Sequence, residues 1–340
     1  MATETTPAPV RRSPVARAFS VVGRSRELTL VAIMVVMGAV VTLGAPQFLS
    51  ASNLNQVTAM AAIIAIASVG EALAVMTKNI DLSVESTIGL VAFLVGVMLQ
   101  DQLSIPAAWL IGIGAGLLLG IANGAIITIF RIPSIVVTLG TLSIFRGLVF
   151  ILAGGKQVNL VDLPPGYANL ATDTVLDVPV FVIVAIVIVA AVGLLLWKTK
   201  FGRQIYAVGS NEEAAATLGI RSRWVVFCVF AICGLLGGVA GVMWGIYFGT
   251  IYATSASGLI LQIVAAVVVG GVIISGGSGT VVGAALGALF LALINNALLV
   301  LQLPQDLLQA IYGTVILVAV SADAVISKRQ RTLASRELRQ

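Results

Sequence analysis

The side chains that could do chemistry in this chain are few, and histidine is not among them. The 340-residue sequence contains no histidine and two cysteines. This excludes histidine-based metal sites, Ser-His-Asp triads and imidazole proton relays. Cys228 and Cys233 lie in one apolar run at a poor helical spacing for facing each other, so we expect buried thiols rather than a disulfide. The sequence predicts no catalytic residue and no metal site.

The main polar interruption of the apolar sequence is segment 198–223, which carries five basic residues and the adjacent acids Glu212 and Glu213. Asn211 is a good N-cap, the acids lie at the positive end of a helix dipole, and Gly219 is a natural stop. We therefore expect a short charged helix on the membrane surface, suited to contact with another protein. The alternative is a solvated loop that connects two spans.

Polar residues at membrane depth form a second group of candidates, since they are costly there without a role or a partner. The segment 76–87, MTKNIDLSVEST, separates two apolar runs. A helix break here would expose Asn79, Asp81 and Ser83 to a water-filled pathway. The alternative is a Lys78–Asp81 ion pair at the boundary. Glu71 lies two turns inside the preceding run, and its alternative is a pair with Lys78 on the same helix face.

Four further polar residues could line a pathway between helices. They are Thr138 and Thr141 in the fifth apolar run and Asn295 and Asn296 in the ninth. The alternative for all four is ordinary hydrogen bonding between helices.

The composition identifies the environment of these residues. The chain is 59% hydrophobic and 10% charged, with a mean hydropathy of +1.10, whereas soluble domains are about 25% charged. About ten apolar runs are near the length that crosses ~30 Å of hydrocarbon. They cover residues 28–45, 56–77, 82–100, 107–130, 134–153, 179–197, 224–247, 259–274, 280–301 and 306–325. The first run is too long for a signal-peptide core and lacks a clean cleavage site, so we expect an uncleaved span.

The charges indicate an orientation. With the N-terminus inside, all but two of the 19 basic residues fall on the cytoplasmic side, the exceptions being Arg146 and Lys156. The sequence thus predicts an all-α integral membrane protein with both termini in the cytoplasm. It consists of a disordered basic arm (1–26), a transmembrane domain (27–325) and a basic tail (326–340). Because the basic residues lie at span ends, no nucleic-acid partner is expected.

Glycines recur every four residues in three runs, which predicts close helix packing. The series are Gly112, Gly116, Gly120 and Gly124; Gly237, Gly241, Gly245 and Gly249; and Gly279, Gly283 and Gly287. None is a phosphate loop. The sequence Gly154-Gly155-Lys156-Gln157 also lacks the glycine spacing and the Ser or Thr of a Walker A motif, so no ATP site is predicted.

A faint internal repeat is also present. Asn123 followed by Arg131-Ile132-Pro133 closes the fourth run, and Asn295-Asn296 followed by Gln302-Leu303-Pro304 closes the ninth. By the span count these helices run in opposite directions. An inverted repeat of helices 2–5 and 7–10 would place a shared pathway between the two halves.

Four motifs in this order carry a resemblance to a known family. They are NIDLSV (79–84), RIPSIVVTLGTLSIFRG (131–147), FGRQIYAVGSNEEAAATLGI (201–220) and the glycine series from Gly270 to Gly283. With them, the chain resembles, from about residue 50 to 325, the permease subunit of bacterial ABC importers of the ribose, autoinducer-2 and rhamnose type. These belong to the branched-chain-like permease superfamily and have a type II importer-like fold.

The resemblance implies a coupling helix that docks on a separate ATPase subunit, which holds the ATP and Mg. The residues implied in this contact are Asn211, Glu212, Glu213, Ala214, Ala215, Leu218 and Gly219. It also implies a second permease, identical or not, an extracytoplasmic sugar-binding protein, and a place among the lipids of the bacterial inner membrane. Phe145, Asn295 and Asn296 become candidates for sugar contact.

The motifs depart from many members of this family at two places. Lys78-Asn79-Ile80-Asp81 replaces Gly-Gly-Ile-Asp, which favours autoinducer-2 or rhamnose over ribose, and Glu85 replaces glycine. Two other classes stay open at this point. One is an ATP-independent secondary transporter or facilitator, for which the buried acid Glu71 is the best feature. The other is an intramembrane enzyme, which the absence of histidine opposes.

Overall fold

The computed structural model describes residues 26–318 and residue 321, and its regular structure is almost entirely helical. In chain order the helices are Arg26–Gly44 (α1), Ala51–Met76 (α2), Val84–Gln100 (α3), Ile105–Phe130 (α4), Ser134–Ala153 (α5), Val180–Lys198 (α6), Lys200–Ser210 (α7), Glu212–Thr217 (α8), Ser222–Phe248 (α9), Leu259–Val269 (α10), Val281–Val300 (α11) and Leu307–Val318 (α12). Short 3-10 helices cover Pro46–Leu49, Leu160–Asp162 and Ala168–Ala171. The predicted arm, except Arg26, and the predicted tail lie outside the described residues.

Within the described ranges, seven helices are long and apolar enough to cross a membrane, namely α1, α2, α4, α5, α6, α9 and α11. Three shorter apolar helices, α3, α10 and α12, correspond to the remaining predicted runs. The all-α membrane fold and its ten apolar helices are therefore confirmed. Helix α10 ends at Val269, short of the predicted residue 274. Gly271 follows with a φ of 86°, which a right-handed helix does not contain.

The loops gather at two ends of the bundle. At one, which we call the α8 end, Lys78 contacts Ser210 and Thr280 contacts Glu27. At the other, which we call the hairpin end, residues 154–178 cover the helix ends. Strands β1 (Thr174–Val175) and β2 (Val178–Pro179) pair there as a short antiparallel hairpin, with two residues in the turn between them. Leu176 and Asp177 both have positive φ, as a type I′ hairpin turn requires. The sequence assigns these two groups of loops to opposite sides of a membrane, and that assignment stays a prediction.

Helices α2 and α9 form the centre of the bundle. Along an 18-residue apolar stretch of α2, 94% of the chain is buried, against 17% for the corresponding stretch of α1. Helix α9 packs on α2, α3 and α4, and α2 packs on α11. Glycines allow these backbones to approach closely: a Cβ at Gly116 of α4 would lie 2.6 Å from the carbonyl oxygen of Gly234 in α9. The predicted packing role of this glycine series is confirmed.

The packing also follows the predicted inverted repeat. The contact of α9 with α4 has a counterpart in the contact of α2 with α11. In the same way, the contact between α9 and α3 corresponds to the contact between α2 and α10. The contact between α3 and α4 corresponds to the contact between α10 and α11. The helix ends match as well, since Arg131 after α4 and Gln302 after α11 both have left-handed backbones, with φ of 59° and 56°.

Candidate functional site

The short charged helix predicted from the sequence is present as α8, and its capping is as expected. The Asn211 side chain accepts a hydrogen bond from the backbone N–H of Ala214 at 3.0 Å. Gly219 ends the helix with a φ of 78°. Glu212, Glu213, Ala214, Leu218 and Gly219 are exposed and Ala215 is buried. Helix α8 therefore rests on the protein by one small side chain and presents its other sides to solvent.

Helix α7 connects α8 to the transmembrane helices, and the sequence reasoning missed it. Its apolar side chains Ile205 and Val208 are buried against the bundle, as is Gly209. The Gly209 Cα lies so close to the end of α2 that an added Cβ would collide with the Met76 carbonyl. The Met76 oxygen also accepts the backbone N–H of Gly277 at 2.9 Å. The end of α2 is thus held between α7 and the loop 270–280.

Two side chains strengthen this junction. The Lys78 ammonium donates to the Ser210 carbonyl at 3.2 Å, at the boundary of α7 and α8. The Tyr206 hydroxyl donates to the Gly279 carbonyl at 2.9 Å, and partial burial raises the pKa of Tyr206. A displacement of α8 would therefore reach α2 and the loop 270–280 directly.

A groove runs along the exposed side of α8. Its volume is about 1260 Å³, and it lies between α8, the start of α9 and the end of α4. Acidic, basic and aromatic side chains line it; among them are Glu212, Glu213, Arg221, Arg223, Trp224 and Phe227. Trp224 is 60% exposed. An exposed aromatic side chain beside charged groups is typical of protein-contact surfaces.

The predicted helix break is present between α2 and α3, but it is buried. Asp81 and Ser83 are 3% and 0% exposed, so the expected opening onto a water-filled pathway is absent from this structure. The break is instead covered by protein, the other condition under which irregular backbone is tolerated at membrane depth. Asp81 accepts hydrogen bonds from the Ser83 backbone and hydroxyl at 3.0 and 2.6 Å. The Asn123 amide donates to the Ser83 hydroxyl oxygen at 2.8 Å, which ties the break to α4.

Lys78 pairs with neither Glu71 nor Asp81 among the described residues, so both ion pairs considered for Lys78 are wrong. The Glu71 carboxylate accepts the backbone N–H of Asp81 at 3.2 and 3.3 Å. Lys78 has a φ of 63° and leaves the helix, which directs its side chain to Ser210 instead. The helix-face argument failed because α2 ends at Met76, before Lys78.

The candidates on α5 lie along the same break. Thr138 is fully buried; its hydroxyl donates to the Ser134 carbonyl at 2.8 Å, and the Ile80 carbonyl oxygen lies 3.3 Å from the same hydroxyl. Thr141 and Phe145 are also buried on this face. Asn79 is half-buried, and its amide donates to the Thr77 carbonyl at 2.9 Å. The structure therefore brings Glu71, Asn79, Asp81, Ser83 and Thr138 together around one loop.

The asparagines on α11 lie elsewhere. Asn296 forms two reciprocal hydrogen bonds of 2.8 Å with Asn53 on α2. This is the helix–helix hydrogen bonding considered as the alternative. Asn295 is half-buried. A role of either residue in a pathway stays a prediction.

The sequence reasoning noted Glu85 and Arg146 separately and missed that they pair. Their charged groups lie 3.9 Å apart, with side chains 10% and 14% exposed. The Arg146 guanidinium donates to the carbonyls of Ser255 at 2.7 Å and Ala253 at 3.1 Å. Glu85 accepts the Ile260 backbone N–H at 3.1 Å. Two opposite charges at membrane depth were the available indication. The pair joins α3, α5 and the loop before α10.

Among the described residues, no group of three or more His, Cys, Asp or Glu side chains is arranged to hold a metal ion. Both cysteines are free thiols, and the Cys233 sulfur contacts the Gly70 carbonyl at 3.0 Å. The described site is thus a set of buried polar contacts and a docking-type surface.

Comparison with known proteins supports a transport role. Residues 53–320 match the family described as "Branched-chain amino acid transport system / permease component". The autoinducer 2 import system permease protein LsrC of Salmonella typhi is 37% identical over 290 residues, covering 85% of this chain and 82% of that protein.

Two other relatives carry the same name. LsrC of Shigella flexneri is 35% identical over 315 residues, covering 93% of this chain and 90% of that protein. LsrC of Photorhabdus luminescens is 34% identical over 306 residues, covering 90% and 92%. No solved structure matches the chain. The family match and these relatives together show that this multi-pass membrane protein belongs to the branched-chain amino acid transport system permease family.

Proposed function

We propose that the chain is the permease subunit of an ATP-driven ABC importer and that α8 couples it to a separate ATPase. The observation that carries this proposal is the junction of α8, α7 and α2. A short exposed helix is joined through Ser210 to Lys78, and through Gly209 to the end of α2. The sequence resemblance to ABC permeases supplies the kind of partner.

Transmission of movement follows from these contacts. When the ATPase subunits close on ATP and Mg, α8 is displaced with the surface on which it docks. Gly209 and Lys78 transfer this displacement to the end of α2, and Tyr206 transfers it to the loop 270–280. The break 77–83 lies next in this chain of contacts. Because its polar groups are buried here, an opening of this loop would expose them to the transported solute.

The solute is sugar-like. The relatives are named as autoinducer 2 import permeases, and the Lys78–Asp81 sequence favours autoinducer-2 or rhamnose over ribose. An extracytoplasmic binding protein delivers the solute. A second permease copy, identical or related, completes the pathway. The α8 end faces the cytoplasm, and so do both termini.

The coupling role is tested in proteoliposomes that contain the permease, its ATPase and the binding protein. We expect Glu212→Lys and Gly219→Ala to reduce both ATP-driven uptake and binding-protein-stimulated ATPase activity, because the first reverses a charge on the docking surface and the second strains the φ of 78°. The matched control is Asp173→Lys, an exposed charge reversal at the hairpin end. Normal uptake in both α8 variants would remove the coupling assignment.

A further inference from the structure

A second cavity opens at the hairpin end, opposite α8. It measures about 800 Å³ and lies between the last turns of α3 and α5, the segment 155–162 and the residues 252–254. This size is within the ~300–1,000 Å³ of small-molecule sites. None of the pathway candidates predicted from the sequence lines it.

The polar side of the cavity is a connected set of amides around one carboxylate. Gln100 and Asn159 both donate to one carboxylate oxygen of Asp162, each at 3.2 Å. Gln157 donates to the Asn159 side-chain oxygen at 2.7 Å. Each amide has two N–H donors and an oxygen with two lone pairs, so this set retains both donors and acceptors for a ligand. Groups that both donate and accept suit hydroxyl ligands.

The lining of the cavity also contains aromatic side chains. Phe93, Phe150 and Tyr252 line it. Flat apolar surfaces combined with a few oriented polar groups are the usual composition of a pocket for a small polar molecule with apolar faces. The charged residues on the lining are Lys156 and Asp162, one of each sign. A neutral ligand fits this balance better than an ion.

The walls of the cavity are fixed by contacts that span the chain. Val158 and Ile251 exchange two backbone hydrogen bonds, of 3.0 and 2.9 Å. Arg146 donates hydrogen bonds to the carbonyls of Ala253 and Ser255 in the next residues along the chain. A wall that is already ordered loses less entropy when a ligand binds. The cavity is therefore preformed in the permease chain itself.

We propose that this cavity is a weak binding site for a neutral polyhydroxylated solute of monosaccharide size, at the outer mouth of the permease. The proposal rests on the proposed function, because it places the site where a solute would leave its binding protein. It adds a solute contact that belongs to the permease and consists of Gln100, Gln157, Asn159 and Asp162 together with Tyr252.

The test is solute protection of a single cysteine. The native cysteines are replaced by C228A and C233S, and T254C places a small thiol on the cavity lining. The purified permease in nanodiscs is labelled with a maleimide in the presence of D-ribose or L-rhamnose. We expect labelling to slow in proportion to 1 + [L]/Kd, about tenfold at a concentration about nine times Kd. S257C, an exposed hydroxyl replacement three residues along the same loop and outside the cavity lining, should label at an unchanged rate.

The side chains of the site are tested in the T254C background. N159A should weaken protection, whereas N169A, an exposed asparagine at the same end and outside the lining, should not. No protection by either sugar, or equal slowing of S257C, would overturn the proposal. Protection only by a sugar-free binding protein would make the cavity a protein-docking surface and would also overturn it. The α8 variants test the coupling function in a separate assay, so a failure here leaves that result interpretable.

Discussion

Glu71 is fully buried in α2, and its contact explains how a carboxyl group is tolerated at this depth. Both carboxylate oxygens lie within hydrogen-bond distance of the Asp81 backbone N–H. The side chain therefore closes the loop 77–83 against the helix that precedes it. An acceptor is needed here whether or not it carries a charge, because an unsatisfied buried N–H costs about 1–3 kcal/mol.

This distinction gives a prediction for position 71. Glu71→Gln keeps an oxygen acceptor and should fold and support ATP-driven uptake within about twofold of the native rate, since its ~1 kcal/mol hydrogen bond is retained. Glu71→Ala should lower the melting temperature of the purified protein. Uptake in proteoliposomes and thermal unfolding in detergent measure the two effects. A well-folded Glu71→Gln protein without uptake would show instead that the carboxylate itself is used in transport, as a proton-driven carrier would require.

Glu85 and Arg146 form the one ion pair found among the described residues. We expect Arg146→Met to be the more destabilising single change, because it leaves a buried carboxylate and two carbonyl groups without this partner; breaking a buried pair costs about 3–5 kcal/mol. Glu85→Gln should cost less, since Arg146 keeps the Ala253 and Ser255 carbonyls. The free energy of unfolding in mixed micelles measures both.

The double variant Glu85→Gln/Arg146→Met provides the control for this pair. Its destabilisation should be smaller than the sum of the single effects by about 0.5–3 kcal/mol, the range of coupling between residues in contact. Strict additivity would mean that the 3.9 Å separation carries no interaction. In that case Arg146 would stabilise the protein only through its hydrogen bonds to the Ala253 and Ser255 carbonyls.

At this scale the sequence predicted contacts between near neighbours and missed contacts between distant ones. Asn211 and Gly219 were assigned correctly because capping depends on residues three or four positions away. The partner of Lys78 is 132 residues along the chain, and the partner of Asn296 is 243 residues away. Side-chain type indicates that such a residue needs a partner, but only the packing of the helices decides which one it meets.

Among the elements, α7 shows a pattern that was present in the sequence and not used. Phe201, Ile205 and Val208 recur at the spacing of one helix face. The surrounding Lys and Arg residues made the whole segment 198–223 look polar. A surface helix with one apolar stripe has this mixed composition because half of it faces solvent. Its face was predictable, but the end of α2 as its partner was not.

The contact of α7 with α2 predicts an effect of a single methyl group. Gly209→Ala should weaken the docking of α7, since its Cβ would collide with the Met76 carbonyl and overpacking costs about 1–3 kcal/mol. We expect lower uptake and lower stimulated ATPase activity in proteoliposomes, with the ATPase still bound. Gly140→Ala is the matched control, a helical glycine whose Cβ would enter open space. Equal activity of the two variants would exclude α7 as the connection between α8 and α2.

Across the whole molecule, the sequence predicted the number of apolar helices and the grouping of the loops better than the packing order. Hydropathy and charge are properties of single segments, so they do not depend on neighbours. The repeat was visible only as matching helix ends at Arg131 and Gln302, and the structure adds the matching helix pairs. Glycine spacing indicated that helices approach closely without indicating that α4 packs on α9.

The grouping of loops at two ends leads to a prediction about orientation. Segment 198–223 and Lys78 share the α8 end, whereas Lys156 belongs to segment 154–178 at the hairpin end. Basic residues are retained on the cytoplasmic side during insertion, so the α8 end should face the cytoplasm.

Single cysteines in the C228A/C233S background test this orientation in whole cells. A membrane-impermeant maleimide should label N169C at the hairpin end without treatment, and T217C on α8 only after the membrane is permeabilised. Both positions are exposed, so accessibility of the side chain does not limit either reaction. Labelling of T217C in intact cells would place α8 outside, where no ATPase could reach it. Because every step from α8 through Gly209 to α2 depends on a cytoplasmic partner, that result would reject the coupling mechanism together with the orientation.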